Sequence, residues 1–155
     1  MTAPVTLVPL TEALLPQVLE LEQLCFSLPW SREAFLPELR DPACFWLAAL
    51  AEGRVAGYAG MRTVLDEGYI SNIAVSPALR KRGVGMTLVQ AMLREGERRK
   101  LAFLTLEVRV GNGEARRLYD RAGFLAAGLR PGYYEKPRED ALLMTFTYPE
   151  GDKTE

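Results

Sequence analysis

Residues 69–86 read YISNIAVSPALRKRGVGM: an apolar run from Tyr69 to Val75, a short connection, then three cations and two glycines between Arg80 and Met86. The hydrophobic period changes at this point. Gly85, Leu88, Val89, Met92, Leu93 and Gly96 lie three and four residues apart, the stripe of an amphipathic helix that ends in the basic run Arg98–Lys100. A strand therefore enters a helix through a basic, glycine-bearing turn. Such a turn presents unpaired backbone N–H groups, and the helix dipole adds about half a positive charge there. Gly83 and Gly85 leave the backbone open to a phosphate, while Arg80, Lys81 and Arg82 raise the local potential. On these residues alone, the turn is either an anion cradle or a solvated basic loop whose glycines serve backbone angles.

Two familiar phosphate motifs fit poorly. A Walker loop ends in Gly-Lys-Ser/Thr, whereas Gly85 is followed by Met86. A Rossmann turn needs a third glycine where Leu88 stands, and it follows the first strand of a βαβ unit. Here the turn follows three apolar runs, "FWLAALAEGRVAGYAGMRTVLDEGYISNIAV", separated by "EGR" and "LDEG", the pattern of an antiparallel meander.

Upstream, "VTLVPL" is a short strand, and the following segment places Leu14, Val18, Leu21 and Cys25 on a helical stripe with Thr11 as its cap. Ser31 caps a second helix that Pro37 interrupts and Pro42 ends. Downstream, "LAFLTLEVRV" is a nearly unbroken apolar strand, expected centrally with both faces covered. Asn112 caps a helix ending at Gly123, and "FLAAGLRPGYY" and "DALLMTFTY" complete the sheet. The predicted order is β-α-α-β-β-β-α-β-α-β-β: an α/β fold with a mixed, mostly antiparallel central sheet flanked by helices. Residues 1–150 are read as one domain and 151–155 as a polar tail.

Composition narrows the chemistry. With 19 Lys plus Arg against 20 Asp plus Glu, nothing marks the chain for nucleic acid or an anionic membrane. No stretch approaches the ~20 apolar residues of a membrane span, and "MTAPVTLVPL" lacks the pattern of a signal peptide, so the expected location is cytoplasmic. Cys25 and Cys44 read as free, buried thiols. The absence of histidine excludes Ser-His-Asp and Cys-His schemes and most zinc sites, so no metal is expected and acid-base work falls to Glu, Asp, Tyr, Lys or Cys. Glu107 is the one acid inside "FLTLEVRV", where burial favours the protonated form; alternatively it is a strand-end acid paired with Arg109 or Arg62. Tyr119 lies on the stripe of Ala115, Leu118 and Ala122, as a core tyrosine would.

Arg80-x-x-Gly83-x-Gly85, preceded by "NIAVSP", resembles the acetyl-coenzyme-A signature of the GNAT N-acetyltransferases, and the element order is also that family's. "CFSLPWS", "LEVRVGNGEARRLYDRAGF", "GYY" and "REDALLM" are similar to the RimI-type branch, which acetylates the N-terminal alanine of a small-subunit ribosomal protein. Gly113 after Asn112 and Gly132 before the paired tyrosines depart from that branch; similar sequences often carry Asn at the second position. The resemblance implies a GNAT acyl-CoA N-acyltransferase fold, acetyl-CoA as co-substrate and a peptide or protein N-terminus as partner. Arg80, Lys81, Arg82, Gly83, Val84, Gly85 and Met86 would hold the coenzyme pyrophosphate. The main chain of Ile73, Ala74 and Val75 would face the pantetheine and thioester, with Asn112 bonding the pantetheine arm besides capping its helix.

Acetyl transfer from a thioester to an amine needs a neutral amine, a polarised carbonyl and a stabilised leaving thiolate. A terminal α-amine has a pKa near 8, against about 10.4 for lysine, so neutralising lysine costs roughly 3 kcal/mol more. The resemblance gives the base role to Glu107 and the acid role to Tyr119. Trp30, Tyr133 and Tyr134 are amphipathic aromatics that either line the peptide groove or pack at a loop edge. Other acceptors, a lysine, a polyamine or another small amine, and a CoA-binding module without turnover, stand as alternatives.

Overall fold

The computed structural model describes residues 4–149, so the polar tail 151–155 lies outside the described residues. The elements are β1 (Thr6–Pro9), α1 (Leu15–Cys25), α2 (Arg32–Arg40), β2 (Cys44–Ala51), β3 (Arg54–Val64), β4 (Glu67–Val75), α3 (Val84–Arg98), β5 (Phe103–Arg109), α4 (Gly113–Ala122), β6 (Leu125–Tyr134) and β7 (Glu139–Thr147). Their order is the one predicted, with 3₁₀ turns added at Glu12–Leu14 and Pro77–Leu79. The strands form a seven-stranded sheet in the order β1-β2-β3-β4-β5-β7-β6. Strands β4 and β5 pair in parallel, whereas β1 with β2, β2 with β3, β5 with β7 and β6 with β7 are antiparallel. A parallel pair needs a crossover, and α3 provides it.

The chain divides into two compact units, one of residues up to Arg62 with Ile70–Met92, the other of Thr63–Tyr69 with residues from Leu93 onward. In the first, Leu15, Val18 and Leu21 of α1 pack with Phe35, Trp46 and Tyr58. The buried face of α1 is turned one residue from the predicted stripe: Leu15 is buried and Glu22 joins it, while Leu14 precedes the helix. Thr11 makes no side-chain cap bond; Pro16 sits in the first turn of α1, where its missing N–H costs nothing. Ser31 does cap α2, accepting from the Ala34 N–H at 3.2 Å. Pro37 lies inside α2 without ending it, and the helix stops at Arg40.

In the second unit, Asn112 accepts from the Ala115 N–H at 3.1 Å and Gly123 closes α4 with φ +105°. Tyr119 meets the Phe124 ring edge-on at 5.8 Å. Strand β5 lies between β4 and β7, but its burial alternates: Leu104, Leu106 and Val108 are buried, whereas Phe103, Thr105, Glu107 and Arg109 are half-buried. The unbroken apolar run therefore does not have both faces equally covered. Its less covered face carries the polar groups.

Candidate active site

In the first unit, the basic turn precedes α3 as predicted. Lys81 and Gly83 adopt left-handed backbone, φ +64° and +85°, and the Gly83 carbonyl accepts from both the N–H and the hydroxyl of Thr87, at 3.0 and 2.9 Å. Gly83 suits that conformation because no Cβ opposes it. The first turn of α3 carries no acid, so nothing local cancels its positive end. Arg80, Lys81 and Arg82 are exposed, while Val84 is buried and anchors the helix start. The Arg80 guanidinium donates to the Val75 carbonyl at 3.3 Å, which joins the turn to the end of β4. This donor set, backbone N–H groups with exposed cations, fits a coenzyme diphosphate.

Ile73, Ala74 and Val75 lie beyond the stretch of β4 that pairs with β5, which covers Glu67–Tyr69. On the β5 side, the main chain there has no strand partner among the described residues. Trp30 is half-buried in an aromatic cluster, its ring 5.0 Å from Phe35 and 5.5 Å from Trp46.

In the second unit, Glu107 is the centre of a polar cluster. Its Oε1 accepts from the Tyr69 hydroxyl and its Oε2 lies 2.8 Å from Nε of Arg130. The sequence alternatives, Arg109 and Arg62, are not its partners. Arg109 pairs with Glu139 at 3.3 Å, and Arg62 pairs with Glu38 and Asp41 at 2.8 and 3.1 Å. Burial first, then the neighbouring Glu107 and Tyr133 side chains, push the Tyr69 phenol well above the usual tyrosine range.

Tyr119 is 5% exposed, so burial raises its phenol and keeps it protonated across the neutral range. Its hydroxyl has no hydrogen-bond partner among the described residues. Tyr134, whose phenol burial pushes up to about 12, is the common neighbour that feels both Tyr133 and Glu107 and also acts on Tyr119.

Tyr133 and Tyr134 meet edge to face at 5.0 Å, with Arg109 4.4 Å over the Tyr134 ring. Arg109 also donates to the carbonyls of Pro137 and Glu135, at 2.8 and 3.1 Å, bracing the β6–β7 turn. Gly132 has φ +61°, a conformation tolerated by glycine and by asparagine, which accounts for either residue before the paired tyrosines. The second unit thus gathers Glu107, Tyr119, Tyr133 and Tyr134, while Asn112 stands at the start of α4.

Tyr69 and Arg130 escaped the sequence reading because their approach to Glu107 depends on non-local strand pairing. Glu22 left a signal: it lies seven residues along from Leu15 and four along from Val18, on the buried stripe.

The family model for the acetyltransferase (GNAT) family matches residues 15–124. The chain belongs to the GNAT acetyltransferase family. As a GNAT protein it is an N-acetyltransferase, and acetyl-CoA is the family's acyl donor. It is 36% identical over 132 residues to the ribosomal protein bS18-alanine N-acetyltransferase of Escherichia coli K12, covering 84% of this chain and 88% of that one. It is also 36% identical over 149 residues to the N-alpha-acetyltransferase RimI of Mycobacterium tuberculosis, covering 92% of each. The crystal structure of the Escherichia coli ribosomal-protein-S18-alanine N-acetyltransferase superimposes with a TM-score of 0.89 at 32% identity, over 98% of this chain and 99% of that chain. The GNAT fold and the RimI-type resemblance read from the sequence are both borne out.

Proposed function

We propose that this GNAT enzyme acetylates the α-amine of an N-terminal alanine on a ribosomal protein in the cytoplasm, with residues 1–150 working as one catalytic domain. The observation that carries this is the similarity, over more than four-fifths of both chains, to an enzyme named for that reaction. The polar cluster on β5 is chemically suited to it, since one carboxylate is adequate for an amine with a pKa near 8.

The backbone N–H groups of Arg82 to Met86 bind the diphosphate, with Arg80 and Lys81 adding charge. The main chain of Ile73, Ala74 and Val75 orients the pantetheine and the thioester, and Asn112 bonds the pantetheine arm. Bound acetyl-CoA supplies the thioester carbonyl. Glu107 removes a proton from the attacking amine, directly or through water, as the new C–N bond forms. Tyr119 donates its phenolic proton to the departing sulfur as the C–S bond breaks, and is reprotonated from solvent. Trp30, Tyr133 and Tyr134 line the acceptor groove.

The test is acetyl-CoA consumption with an alanine-starting peptide from the substrate ribosomal protein, beside the same peptide blocked at its α-amine. Turnover confined to the free peptide supports the α-amine reaction. Equal turnover with both peptides removes it in favour of a lysine acceptor.

A further inference from the structure

Glu22 is a fully buried carboxylate on α1 that the chemistry above does not use. Its Oε1 accepts from the Trp30 N–H at 2.7 Å, and its Oε2 accepts from the Tyr58 hydroxyl and from Nδ2 of Asn72, the latter at 2.5 Å. No arginine or lysine pairs with it among the described residues. Burying such an anion costs several kcal/mol. Replacement by an apolar side chain of similar size would avoid that cost, so the position points to a role other than stability.

The geometry fixes the Asn72 side chain. An ionised carboxylate only accepts, so the Asn72 NH₂ must face Glu22 and its Oδ1 must face away, where it accepts from the Ile73 N–H at 3.1 Å. Trp30, at the other oxygen, belongs to the segment between α1 and α2. One carboxylate therefore holds both that segment and the carboxamide set against the Ile73 main chain.

We propose that Glu22 is a positioning residue for acetyl transfer: it orients the Asn72 carboxamide, which sets the Ile73 N–H, while tying down the backbone at Trp30. This rests on the function proposed above, in which the Ile73–Val75 main chain orients the thioester. Glu22 touches no reacting atom. Its effect passes through Asn72 and Trp30.

Chemistry supplies a rescue test. In Glu22→Gln the amide oxygen still accepts from Trp30, but the NH₂ now faces the Asn72 NH₂, so the carboxamide must reverse and release the Ile73 N–H. In Asn72→Asp two carboxylates face each other. In the double variant the Gln NH₂ donates to Asp, whose second oxygen again accepts from Ile73.

Rates per folded molecule and the amide resonance of Ile73 are measured for all three, with Tyr58→Phe as a control that leaves the carboxamide alone. Each single variant should lower kcat/KM for acetyl-CoA about ten-fold, and the double should recover to within about three-fold of the parent, as expected when one charge-assisted hydrogen bond is lost and restored. The Ile73 resonance should move in both singles, return in the double and stay put in Tyr58→Phe. Single variants within about two-fold of the parent, or losses that multiply in the double, overturn the proposal. If a single variant does not fold, a folded and active double supports it, and an inactive or unfolded double beside a folded Tyr58→Phe overturns it. The Ile73 resonance and acetyl-CoA binding need no acceptor, so failure of the parent on alanine peptides refutes the acceptor alone.

Discussion

Glu107 and Arg130 form a 2.8 Å ion pair although β7 runs between their strands. The pair runs diagonally over β7: Glu107 is in register with Leu143 and Arg130 with Ala141. The Glu107 side chain is 4% exposed and that of Arg130 56%, so the charge on Glu107 is sheltered while its partner, which also lies 5.8 Å over the Tyr133 ring, is largely exposed. Tyr69 holds the other oxygen. A carboxylate held at both oxygens in this way has its orientation set by the fold.

Glu107→Gln should lower kcat by roughly 10²–10³, the usual worth of a general base. The loss should be greatest below about pH 8, where an α-amine is mostly protonated, and should narrow above it. Paired pH–rate profiles of the two proteins make the comparison; profiles of identical shape would remove the base assignment.

Tyr119→Phe should slow transfer by about 10- to 100-fold while acetyl-CoA affinity and Tm stay near the parent's. Stability is spared because the hydroxyl has no hydrogen-bond partner among the described residues to leave stranded. Calorimetric titration with CoA decides between roles: lost binding would make the tyrosine structural.

Gly83→Ala should weaken acetyl-CoA binding several-fold or more, because φ +85° costs a Cβ-bearing residue roughly 1–2 kcal/mol and the turn would shift its N–H groups. Titration at low and moderate salt reads the effect. Undiminished affinity would mean that the diphosphate lies elsewhere.

Arg109→Ala removes the brace on the β6–β7 turn, including the contacts to Pro137, Glu135, Glu139 and the Tyr134 ring. KM for the acceptor peptide should rise by about ten-fold with KM for acetyl-CoA unchanged. Steady-state kinetics with each substrate varied in turn separates the two, and a rise in both would indicate general loosening.

Tyr58, Tyr69 and Tyr119 have phenols raised beyond the usual range by burial first, and Tyr134 and Tyr148 are pushed up to about 12 for the same reason. The folded protein keeps these protons where the unfolded chain, with phenols near 10, loses them. Their contribution to stability is therefore complete below about pH 10 and is lost as pH rises through the raised folded values. Thermal melts should show Tm insensitive to these groups from pH 7 to 9 and a steep fall above about 10. A Tm unchanged at pH 11.5 would contradict the burial of these tyrosines.

The local elements were legible because their causes are local. A strand, a basic turn with Gly83 and Gly85 and an apolar stripe at helical spacing follow from residues within a few positions of one another, as do the Ser31 and Asn112 caps. The family resemblance rests on the same runs. Thr11 stands at the start of the 3₁₀ turn Glu12–Leu14 rather than of α1, and its side chain makes no cap bond, because the extra turn that separates it from the helix leaves no mark in the local residue pattern.

By itself, the sequence determined the order of elements and the place of the basic glycine turn ahead of α3, and it singled out Glu107 and Tyr119 as candidates for acid-base work. Tertiary structure alone decided who stands beside them: Arg130 and Tyr69 rather than Arg109 or Arg62 at Glu107, and Tyr58, Asn72 and Trp30 at Glu22. The reason is range. Hydrophobic period and capping act over one or two turns of chain, whereas these partners lie 8 to 50 positions apart and meet only once strand register and helix packing are set.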